Sequence, residues 1–233
     1  MGKLYGIGIG PGDPELLTLK AYRILREADV IFCPEKKAGA GSVAYEIVKG
    51  LLEGAGAKIV PLVYPMHYSG EKLLKVWEEN GEQIAACLNG GKTGAFITLG
   101  DPSVYSTFMY TLPYIEKHGI SVEVVPGVPS FCAAAAASKT PLAAWDETLT
   151  IAPVRGSSGE DLGRLLREND NVVLMKPSAD KAALLSAIRE NNMEDRFVLV
   201  IKAGTDEEIL IRDIRELEQY DIPYLSTMII KHR

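Results

Sequence analysis

The sequence predicts an α/β fold built from two αβα domains, with a parallel sheet in the first and a mixed sheet in the second. The chain has 233 residues, 47% of them hydrophobic, which is enough for two modest cores. In its first half, short β-rich runs alternate with longer amphipathic segments, as is typical of parallel βαβ construction. In its second half, only some gaps between apolar runs are long enough for helices, which favours a mixed sheet.

Five apolar runs in the first half predict strands. They are KLYGIGI, DVIFC, KIVPLV, GAFITL and SVEVV. After the first run, apolar residues at helical spacing predict a helix, namely Leu17, Ala21, Ile24 and Ala28. Its start signal is either Asp13 with Pro14, or Thr18. A later helix is predicted by Leu73, Trp77, Ile84 and Leu88, although Gly81 inside it costs about 1 kcal/mol relative to alanine.

A change of direction is predicted near the middle of the chain, where VVPGVPSF concentrates two prolines and a glycine. We therefore place the domain boundary between residues 125 and 126, giving domains 1–125 and 126–233. Further strands are predicted beyond the boundary. They are TLTIAP, NVVLMK, RFVLVIKAG, EEILI and YLSTMII.

Composition excludes several classes of protein. The formal net charge of −6 argues against a nucleic-acid partner, since such proteins normally carry a basic stripe. Cys33, Cys87 and Cys132 show no paired spacing, so we expect reduced, buried thiols rather than disulfides or a zinc site. The N-terminal residues do not resemble a signal peptide, and no apolar run reaches the length of a membrane span. These features predict a cytoplasmic protein that has no membrane partner.

The glycine-rich loops do not match known phosphate-binding motifs. In GIGIGPGDPE, the last glycine of a G-x-G-x-x-G fingerprint is replaced by Pro11 in one register and by Asp13 in the other. The segment GGKTG resembles a Walker loop, but Ala86 stands where that motif requires glycine, and the lysine precedes a strand. Neither loop therefore predicts a nucleotide site.

Gly-Asp-Pro occurs twice, at residues 12–14 and 100–102, each time after an apolar strand and before a helix. Both loops should lie at the carboxyl edge of the sheet, where open α/β sheets bind ligands. Because each loop carries a carboxylate and no lysine, a cationic or neutral ligand is favoured over an anion. The alternative is that Asp13 and Asp101 only cap helices, with a proline at the first helical position.

Five segments together resemble the tetrapyrrole methylase family across essentially the whole chain. They are GIGIGPGDPELLTLKA, ITLGDPSVYSTF, VVPGVPSFCAAAA, VVLMKP and VIKAGT. The resemblance implies two α/β domains that bind S-adenosylmethionine in an active-site cleft between them. The segments SVAYEIV, TLGDPSVYSTFMY and PGVPSFCAAAA are most similar to enzymes that methylate precorrin-2, or its cobalt chelate cobalt-factor II, at carbon 20 in cobalamin biosynthesis. Domain 1–125 would then face the tetrapyrrole, and domain 126–233 would supply much of the cofactor site.

The same resemblance implies a set of cofactor contacts, many of them through the main chain. They are Pro11, Gly100, Asp101, Val104, Tyr105, Pro129, Ser130, Met175, Ala203 and Gly204. Pro129 departs from the family, which commonly carries a hydroxyl-bearing residue there, and Ser130 is the alternative source of a hydroxyl. Glycine and alanine allow close main-chain approach, and Met175 offers a soft apolar surface for a purine.

A flat tetrapyrrole bordered by carboxylates requires an apolar trough with cations at its rim. Lys36, Lys37 and Arg155 are candidates for the rim, with ordinary surface charge as the alternative. Tyr110 is a candidate for contact with the macrocycle or cofactor, with core packing as the alternative. None of the histidines, His67, His118 and His232, is assigned as a catalytic base. The catalytic residue therefore stays unassigned.

The sequence also bears on metal binding and on the oligomeric state. The histidines and cysteines show no ligand spacing, so no protein-bound metal is expected. Any cobalt would arrive within the substrate, with His67 as a hypothetical ligand to it. The resemblance implies a homodimer.

Several alternatives stay open at this point. The nearest is a methylase of the same fold that acts on another corrinoid intermediate, on uroporphyrinogen, on a modified protein histidine or on RNA. A non-catalytic α/β sensor that binds a nucleoside belongs to a different class. A nicotinamide oxidoreductase is a third alternative, and the failed fingerprint weakens it.

Overall fold

The protein is described by a computed structural model that covers residues 2–65, 70–154 and 158–232. It divides into two compact units, Met1–Pro129 and Ser130–Arg233, here called the N-terminal and C-terminal units. The division falls slightly C-terminal of the predicted boundary between residues 125 and 126, within the same proline- and glycine-containing segment.

The N-terminal unit contains a five-stranded sheet in the order β3-β2-β4-β1-β5. Its strands are β1 (Lys3–Gly8), β2 (Val30–Glu35), β3 (Lys58–Val63), β4 (Thr93–Thr98) and β5 (Ser121–Val125). Every neighbouring pair is parallel. The predicted parallel sheet is confirmed, and its carboxyl edge brings together the loops that follow β4, β1 and β5.

In the part of this unit that the structure describes, four α-helices connect these strands. They are α1 (Leu19–Glu27), α2 (Val43–Val48), α3 (Glu71–Leu88) and α4 (Thr107–Glu116), and two short 3-10 helices lie at Pro14–Leu16 and Lys49–Leu52. Both predicted start signals near α1 are used. Asp13 caps the first 3-10 helix, whereas Thr18 caps α1 by accepting the N–H of Ala21 at 3.2 Å.

Apolar side chains fill both faces of this sheet. Ile7, Ile31 and Ile97 are fully buried in a cluster on one face together with residues of α1 and α2. Phe32 and Phe96 are fully buried on the other face, in a cluster with residues of α3 and α4. Because successive side chains of a strand point to opposite faces, one sheet supports both cores and the layers are αβα.

The glycine inside α3 has a packing role. A Cβ atom at Gly81 would lie 2.8 Å from the Cβ of Tyr114 on α4, which is closer than real Cβ contacts. The helix-propensity cost of Gly81 is therefore offset by the close approach that it allows between α3 and α4.

The C-terminal unit contains a mixed five-stranded sheet in the order β6-β7-β10-β8-β9. Its strands are β6 (Leu149–Pro153), β7 (Asn171–Met175), β8 (Phe197–Ile201), β9 (Ile209–Ile211) and β10 (Ser226–Lys231). Its helices are α5 (Ser130–Ser138), α6 (Gly159–Glu168), α7 (Lys181–Glu190) and α8 (Ile214–Gln219), with a 3-10 helix at Pro177–Ala179. Strands β6 and β7 are parallel, whereas β10 is antiparallel to β7 and β8, which confirms the predicted mixed sheet.

Side chains of β10 alternate between the two faces of this sheet. Met228 and Ile230 are buried in the main core with residues of α6, α7 and α8. Thr227 points to the other face, where its hydroxyl bonds Ser130 at the start of α5. The C-terminal unit is therefore also layered αβα.

Candidate active site

The two Gly-Asp-Pro loops are joined directly at the carboxyl edge of the N-terminal sheet. Gly10 donates its N–H to the carbonyl oxygen of Gly100 at 3.3 Å, and Gly100 donates to Gly10 at 2.8 Å. Both glycines have positive φ angles, +81° at Gly10 and +66° at Gly100, a conformation that favours glycine. The two loops therefore form one main-chain structure.

A third loop, which follows β5, packs into the same place. A Cβ atom at Gly8 would lie 2.6 Å from both the Gly100 oxygen and the Gly127 nitrogen. A Cβ atom at Gly127 would lie 2.3 Å from the Gly100 oxygen. Glycine is required at these positions because protein main chains touch one another there. We call this arrangement of Gly8, Gly10, Gly100 and Gly127 the three-loop junction.

Asp101 ties the junction together through its carboxylate. Oδ1 accepts the N–H of Ser103 at 2.8 Å, and Oδ2 accepts the N–H of Gly127 at 3.0 Å. The cap of α4 is instead Ser106, whose Oγ accepts the N–H of Phe108. The alternative that Asp101 only caps a helix is therefore wrong, because an intervening turn separates it from α4.

The hydrogen bonds of Asp101 also set its charge state. Partial burial works to raise the pKa of this carboxyl, but the hydrogen bonds from Ser103 and Gly127 outweigh it and hold the pKa below its ordinary value. Asp101 is therefore ionised near neutral pH, in the form that accepts from both loops.

Asp13 has the simpler role. Its Oδ1 accepts the N–H of Glu15 at 2.8 Å, and Pro14 is the first residue of the 3-10 helix that follows. The helix-cap alternative is confirmed for this aspartate. Two identical tripeptides thus carry carboxylates with different tasks.

The remaining predicted residues of this unit's cofactor set lie on or near the same loops. Pro11 is buried beside Gly10. Val104 closes the turn after Asp101, since its N–H donates to the Asp101 carbonyl at 3.2 Å. Tyr105 adopts a φ of +48° and leaves more than a third of its surface exposed. Partial burial, and then the nearby Tyr110, raise the pKa of Tyr105.

The predicted lysines lie at the same edge of the sheet. Lys36 and Lys37 follow β2 directly and are exposed. Their loop folds around the buried Glu35 carboxylate, which accepts N–H groups from Gly39 at 3.0 Å and Gly41 at 3.2 Å. The loop is thus held by hydrogen bonds from its main-chain N–H groups to the Glu35 carboxylate, while the side chains of both lysines are exposed to solvent.

Two residues that the sequence singled out, Arg155 and His67, lie outside the described residues. Tyr110 lies on α4 with its ring centroid 5.1 Å from that of Trp77. It is 45% exposed, and it packs on Trp77, which itself lies against the buried cluster beside α3 and α4.

In the C-terminal unit, three side chains meet where β7 ends and β10 begins. Thr227 is paired in register with Met175. Thr227 donates its hydroxyl to Ser130 Oγ at 3.3 Å, and Ser130 Oγ lies 3.8 Å from Met175 Sδ. Ser130 and Met175, both in the cofactor set that the resemblance implies, therefore lie together. Pro129, which directly precedes Ser130, is half-buried.

Thr227 was not predicted from the sequence. The sequence gives one hint. In YLSTMII, alternation along the strand puts Met228 and Ile230 on the core face, so the hydroxyl of Thr227 lies on the opposite face. Recognising it requires the pairing of β10 with β7, which is a tertiary contact.

Ala203 and Gly204 lie at the same edge of the C-terminal sheet. They follow β8, whose last residue Ile201 pairs with Ser226, next to Thr227. Ala203 is buried, and Gly204 has a φ of +78° and donates its N–H to Glu208 at 2.8 Å. Met175, Ala203 and Gly204 thus lie at one edge of the C-terminal sheet, beside Ser130.

The expectation of buried thiols is only partly correct. Cys33 is buried, and burial, with a further contribution from Glu35, raises the pKa of its thiol to about 12. Cys132 is exposed on α5, because it lies on the outer side of a helix that packs through Phe131, Ala133 and Ala134.

Metal-ligating residues are not clustered in the part of the chain that the structure describes: no group of three or more His, Cys, Asp and Glu side chains there could hold an ion. None of the helices within residues 2–65, 70–154 and 158–232 is both long and apolar enough to cross a membrane.

Comparison with protein families identifies the group to which this architecture belongs. The family model for tetrapyrrole (corrin/porphyrin) methylases matches residues 3–218. The chain belongs to this family. The resemblance inferred from its motifs is confirmed.

Individual members of the tetrapyrrole methylase family match along nearly their whole length. A probable cobalt-precorrin-2 C(20)-methyltransferase of Methanocaldococcus jannaschii is 39% identical over 232 residues, covering 98% of this chain and 96% of the relative. A precorrin-2 C(20)-methyltransferase of Sinorhizobium is 30% identical, covering 99% and 95%. The X-ray structure of a cobalt precorrin-4 methyltransferase, 25% identical, superposes with a TM-score of 0.77 over 98% of this chain and 94% of that one.

Proposed function

We propose that this protein transfers a methyl group from S-adenosylmethionine to carbon 20 of precorrin-2 or of its cobalt chelate, in cobalamin biosynthesis. The observation that carries the proposal is the 39% identity, over nearly the full length of both chains, to the Methanocaldococcus jannaschii relative. The Sinorhizobium relative is named for the metal-free ring, so the proposal includes both acceptors.

The residues at the two sheet edges are chemically suited to S-adenosylmethionine. When bound, this molecule supplies a methyl group on a positively charged sulfonium. The loops around Asp13 and Asp101 contribute carboxylates and no cation, which favours a ligand of that charge. Within residues 2–65, 70–154 and 158–232, the Gly100 carbonyl accepts one long bond, from Gly10, and a carbonyl oxygen has two lone pairs.

We assign each unit a part in binding. In the N-terminal unit, Asp101 and Gly100 hold the loop that continues through Val104 and Tyr105, while Pro11 fills the space beside Gly10. In the C-terminal unit, Met175 and Ala203 offer apolar surface, Ser130 offers a hydroxyl and Gly204 allows close main-chain approach, beside Pro129. We assign much of the cofactor site to the C-terminal unit and the tetrapyrrole to the N-terminal unit.

We assign the carboxylates of the tetrapyrrole acceptor to ion pairs with lysines. Lys36 and Lys37 are exposed at the carboxyl edge of the N-terminal sheet, on a loop fixed around Glu35. Arg155 belongs to the same proposal through the resemblance. Positioning is the main task of these residues, because the methyl donor is already activated. A catalytic base is not assigned.

The proposal is tested by calorimetric titration with S-adenosylhomocysteine, followed by assays with precorrin-2 and cobalt-factor II and a labelled methyl donor. We expect binding and one transferred methyl, located at carbon 20 by NMR. Binding without transfer to either acceptor would move the substrate to another corrinoid or to uroporphyrinogen. Failure of the folded protein to bind would contradict the cofactor assignment.

A homodimer in the cytoplasm completes the proposal. Both features are supported by the resemblance to the family rather than by any residue contact. Light scattering on the purified protein measures the mass of the assembly and tests the dimer.

Replacing Thr227 by valine should weaken S-adenosylhomocysteine binding about fivefold, within the range of about 0.5–1.5 kcal/mol that one hydrogen bond contributes. Valine keeps the shape but cannot orient the hydroxyl of Ser130, which accepts from Thr227. The control is Thr150→Val on β6, which removes a bond to Asn169 instead. Calorimetry should show reduced affinity for the first variant only; equal affinities would contradict a binding role for Ser130.

A further inference from the structure

A buried carboxylate lies at the carboxyl edge of the N-terminal sheet, outside the proposed cofactor site. Glu35 is the last residue of β2 and is only 8% exposed. Burying a carboxylate is costly unless hydrogen-bond donors compensate it. Such donors are present, because Oε1 accepts the N–H of Gly39 at 3.0 Å and Oε2 accepts the N–H of Gly41 at 3.2 Å. Both oxygens are therefore bound to the loop of residues 36–41, here called the lysine loop.

The main chain of the lysine loop is shaped to bind this carboxylate. A turn closes where Ala40 donates its N–H to the Lys37 carbonyl at 3.0 Å. Gly39 and Gly41 have φ angles of +73° and +79°, which favour glycine. Main-chain N–H groups in such a conformation converge on an anion, and here the anion is Glu35 of the same chain. The lysine loop is therefore fixed from within by its own glutamate.

The lysine loop leaves the sheet beside the second Gly-Asp-Pro loop. Strands β2 and β4 are neighbours, and Phe32 pairs with Phe96. Lys36 lies four residues after the first of this pair, and Gly100 lies four residues after the second. Neighbouring strands are about 4.8 Å apart. The two lysines therefore follow directly from a point next to the three-loop junction.

We propose that Glu35 is a positioning residue for the acceptor: by holding the lysine loop, it places Lys36 and Lys37 where they pair with carboxylates of the tetrapyrrole. This role rests on the proposed function and adds to it a residue that touches no substrate. Lysine side chains are flexible, so a fixed main chain beneath them reduces what must be ordered when the acceptor binds. A carboxylate suits the task because it offers one acceptor oxygen to each N–H, whereas glutamine would turn its NH2 group towards one of them.

The first test is Glu35→Gln in the full chain, with methyl transfer measured against the concentrations of precorrin-2 and cobalt-factor II. We expect the KM for the acceptor to rise about tenfold, as for loss of a hydrogen bond to a charged group. We expect kcat to stay within about twofold, because the lysines contribute to binding and not to the chemical step. The affinity for S-adenosylhomocysteine should be unchanged.

The matched control is Glu46→Gln, which removes an exposed carboxylate on α2 that pairs with Lys49. Exposed ion pairs contribute little, so this variant should keep the wild-type KM. An unchanged KM in Glu35→Gln would overturn the proposal. So would a lowered kcat at constant KM, since Glu35 would then act in the chemical step.

Combined variants test whether Glu35 acts through the lysines. Lys36→Ala with Lys37→Ala should itself raise the KM for the acceptor. Adding Glu35→Gln to this pair should raise the KM no further, because the loop then carries no cation to position. If the third substitution raises the KM by as much as it does alone, Glu35 acts independently of the lysines and the proposal is rejected.

A pair of glycine variants loosens the lysine loop and leaves the buried carboxylate in place. In Gly39→Ala with Gly41→Ala, the added methyl groups would meet nothing within 4 Å, so they act only by disfavouring the positive φ angles. The control is Gly54→Ala with Gly56→Ala, whose φ angles are +75° and +74° and whose surroundings are equally open. Only the first pair should raise the KM; equal KM values would count against the loop.

Trypsin reports on the lysine loop without any acceptor, because it cleaves after lysine and prefers mobile chain. We expect Glu35→Gln to be cut after Lys36 and Lys37 about fivefold faster than wild type while both are folded. Equal rates would overturn the holding role. If wild type transfers no methyl group to either acceptor, the proposed function fails, and the role of Glu35 in acceptor binding fails with it. If wild type does transfer it and Glu35→Gln keeps the wild-type KM, only the role of Glu35 fails.

Discussion

Asp101→Asn is expected to lower the affinity for S-adenosylhomocysteine about 10- to 100-fold, since a hydrogen bond to a charged group contributes about 1.5–3 kcal/mol. The two oxygens of Asp101 accept from the main-chain N–H groups of Ser103 and Gly127. Asparagine has only one acceptor oxygen, so its NH2 group would face one of these two donors. The loop that follows Gly100 would then separate from the loop that contains Gly127, and the proposed cofactor surface would lose its shape.

Asp13→Asn is the matched control, because it makes the same chemical change in the same tripeptide. Asp13 accepts from Glu15 at the start of a 3-10 helix, and asparagine caps about as well as aspartate. We expect little change in affinity for this variant. Calorimetric titration of both variants checks the difference, and equal effects would show that Asp101 is only a local turn residue.

Much of the N-terminal unit follows from local sequence patterns. Apolar runs bounded by polar, helix-periodic segments predict the parallel strands, since both faces of such a sheet are buried and its strands carry little polar alternation. Strands that precede Gly-Asp-Pro place both motifs at the carboxyl edge, because parallel strands end on one side. The position of the candidate site was therefore predictable without any tertiary information.

The roles of the two aspartates were not predictable from the same patterns. Asp13 is followed by a 3-10 helix, whereas Asp101 is followed by a turn and α4 starts only after Ser106. The deciding contact, from Asp101 to Gly127, joins residues 26 positions apart in the chain. No local spacing encodes it, since it depends on the order β4-β1-β5 in the sheet.

Packing contacts explain the other omissions. From the sequence alone, Gly81 is expected only to destabilise α3; the structure shows that it allows the close approach of Tyr114. Thr227 reads as an ordinary strand residue until its pairing with Met175 and its bond to Ser130 are known. In each case, the sequence supplies the residue type, and the neighbouring element supplies its role.

The three-loop junction makes Gly8→Ala the most damaging small substitution that we predict. The added methyl would lie 2.6 Å from the Gly100 oxygen and from the Gly127 nitrogen, a separation that real Cβ atoms essentially never show. Both neighbours are main-chain atoms, so relief requires moving whole loops rather than rotating a side chain. We expect a loss of about 3 kcal/mol in the free energy of unfolding, at the upper end for overpacked sites, and loss of measurable S-adenosylhomocysteine binding.

Gly50→Ala is the control for this substitution. A Cβ atom at Gly50 would meet nothing within 4 Å, and its φ angle is not positive, so alanine fits its backbone. Alanine there should leave stability unchanged or raise it by about 0.5–1 kcal/mol, because it restricts the unfolded chain. Urea unfolding and calorimetry on both variants separate the two outcomes.

If Gly8→Ala unfolds at the wild-type urea concentration and binds S-adenosylhomocysteine normally, the loops have room to separate, and the junction does not shape the site. If it loses binding at concentrations where it is still folded, the contact among the three loops is what shapes the binding surface.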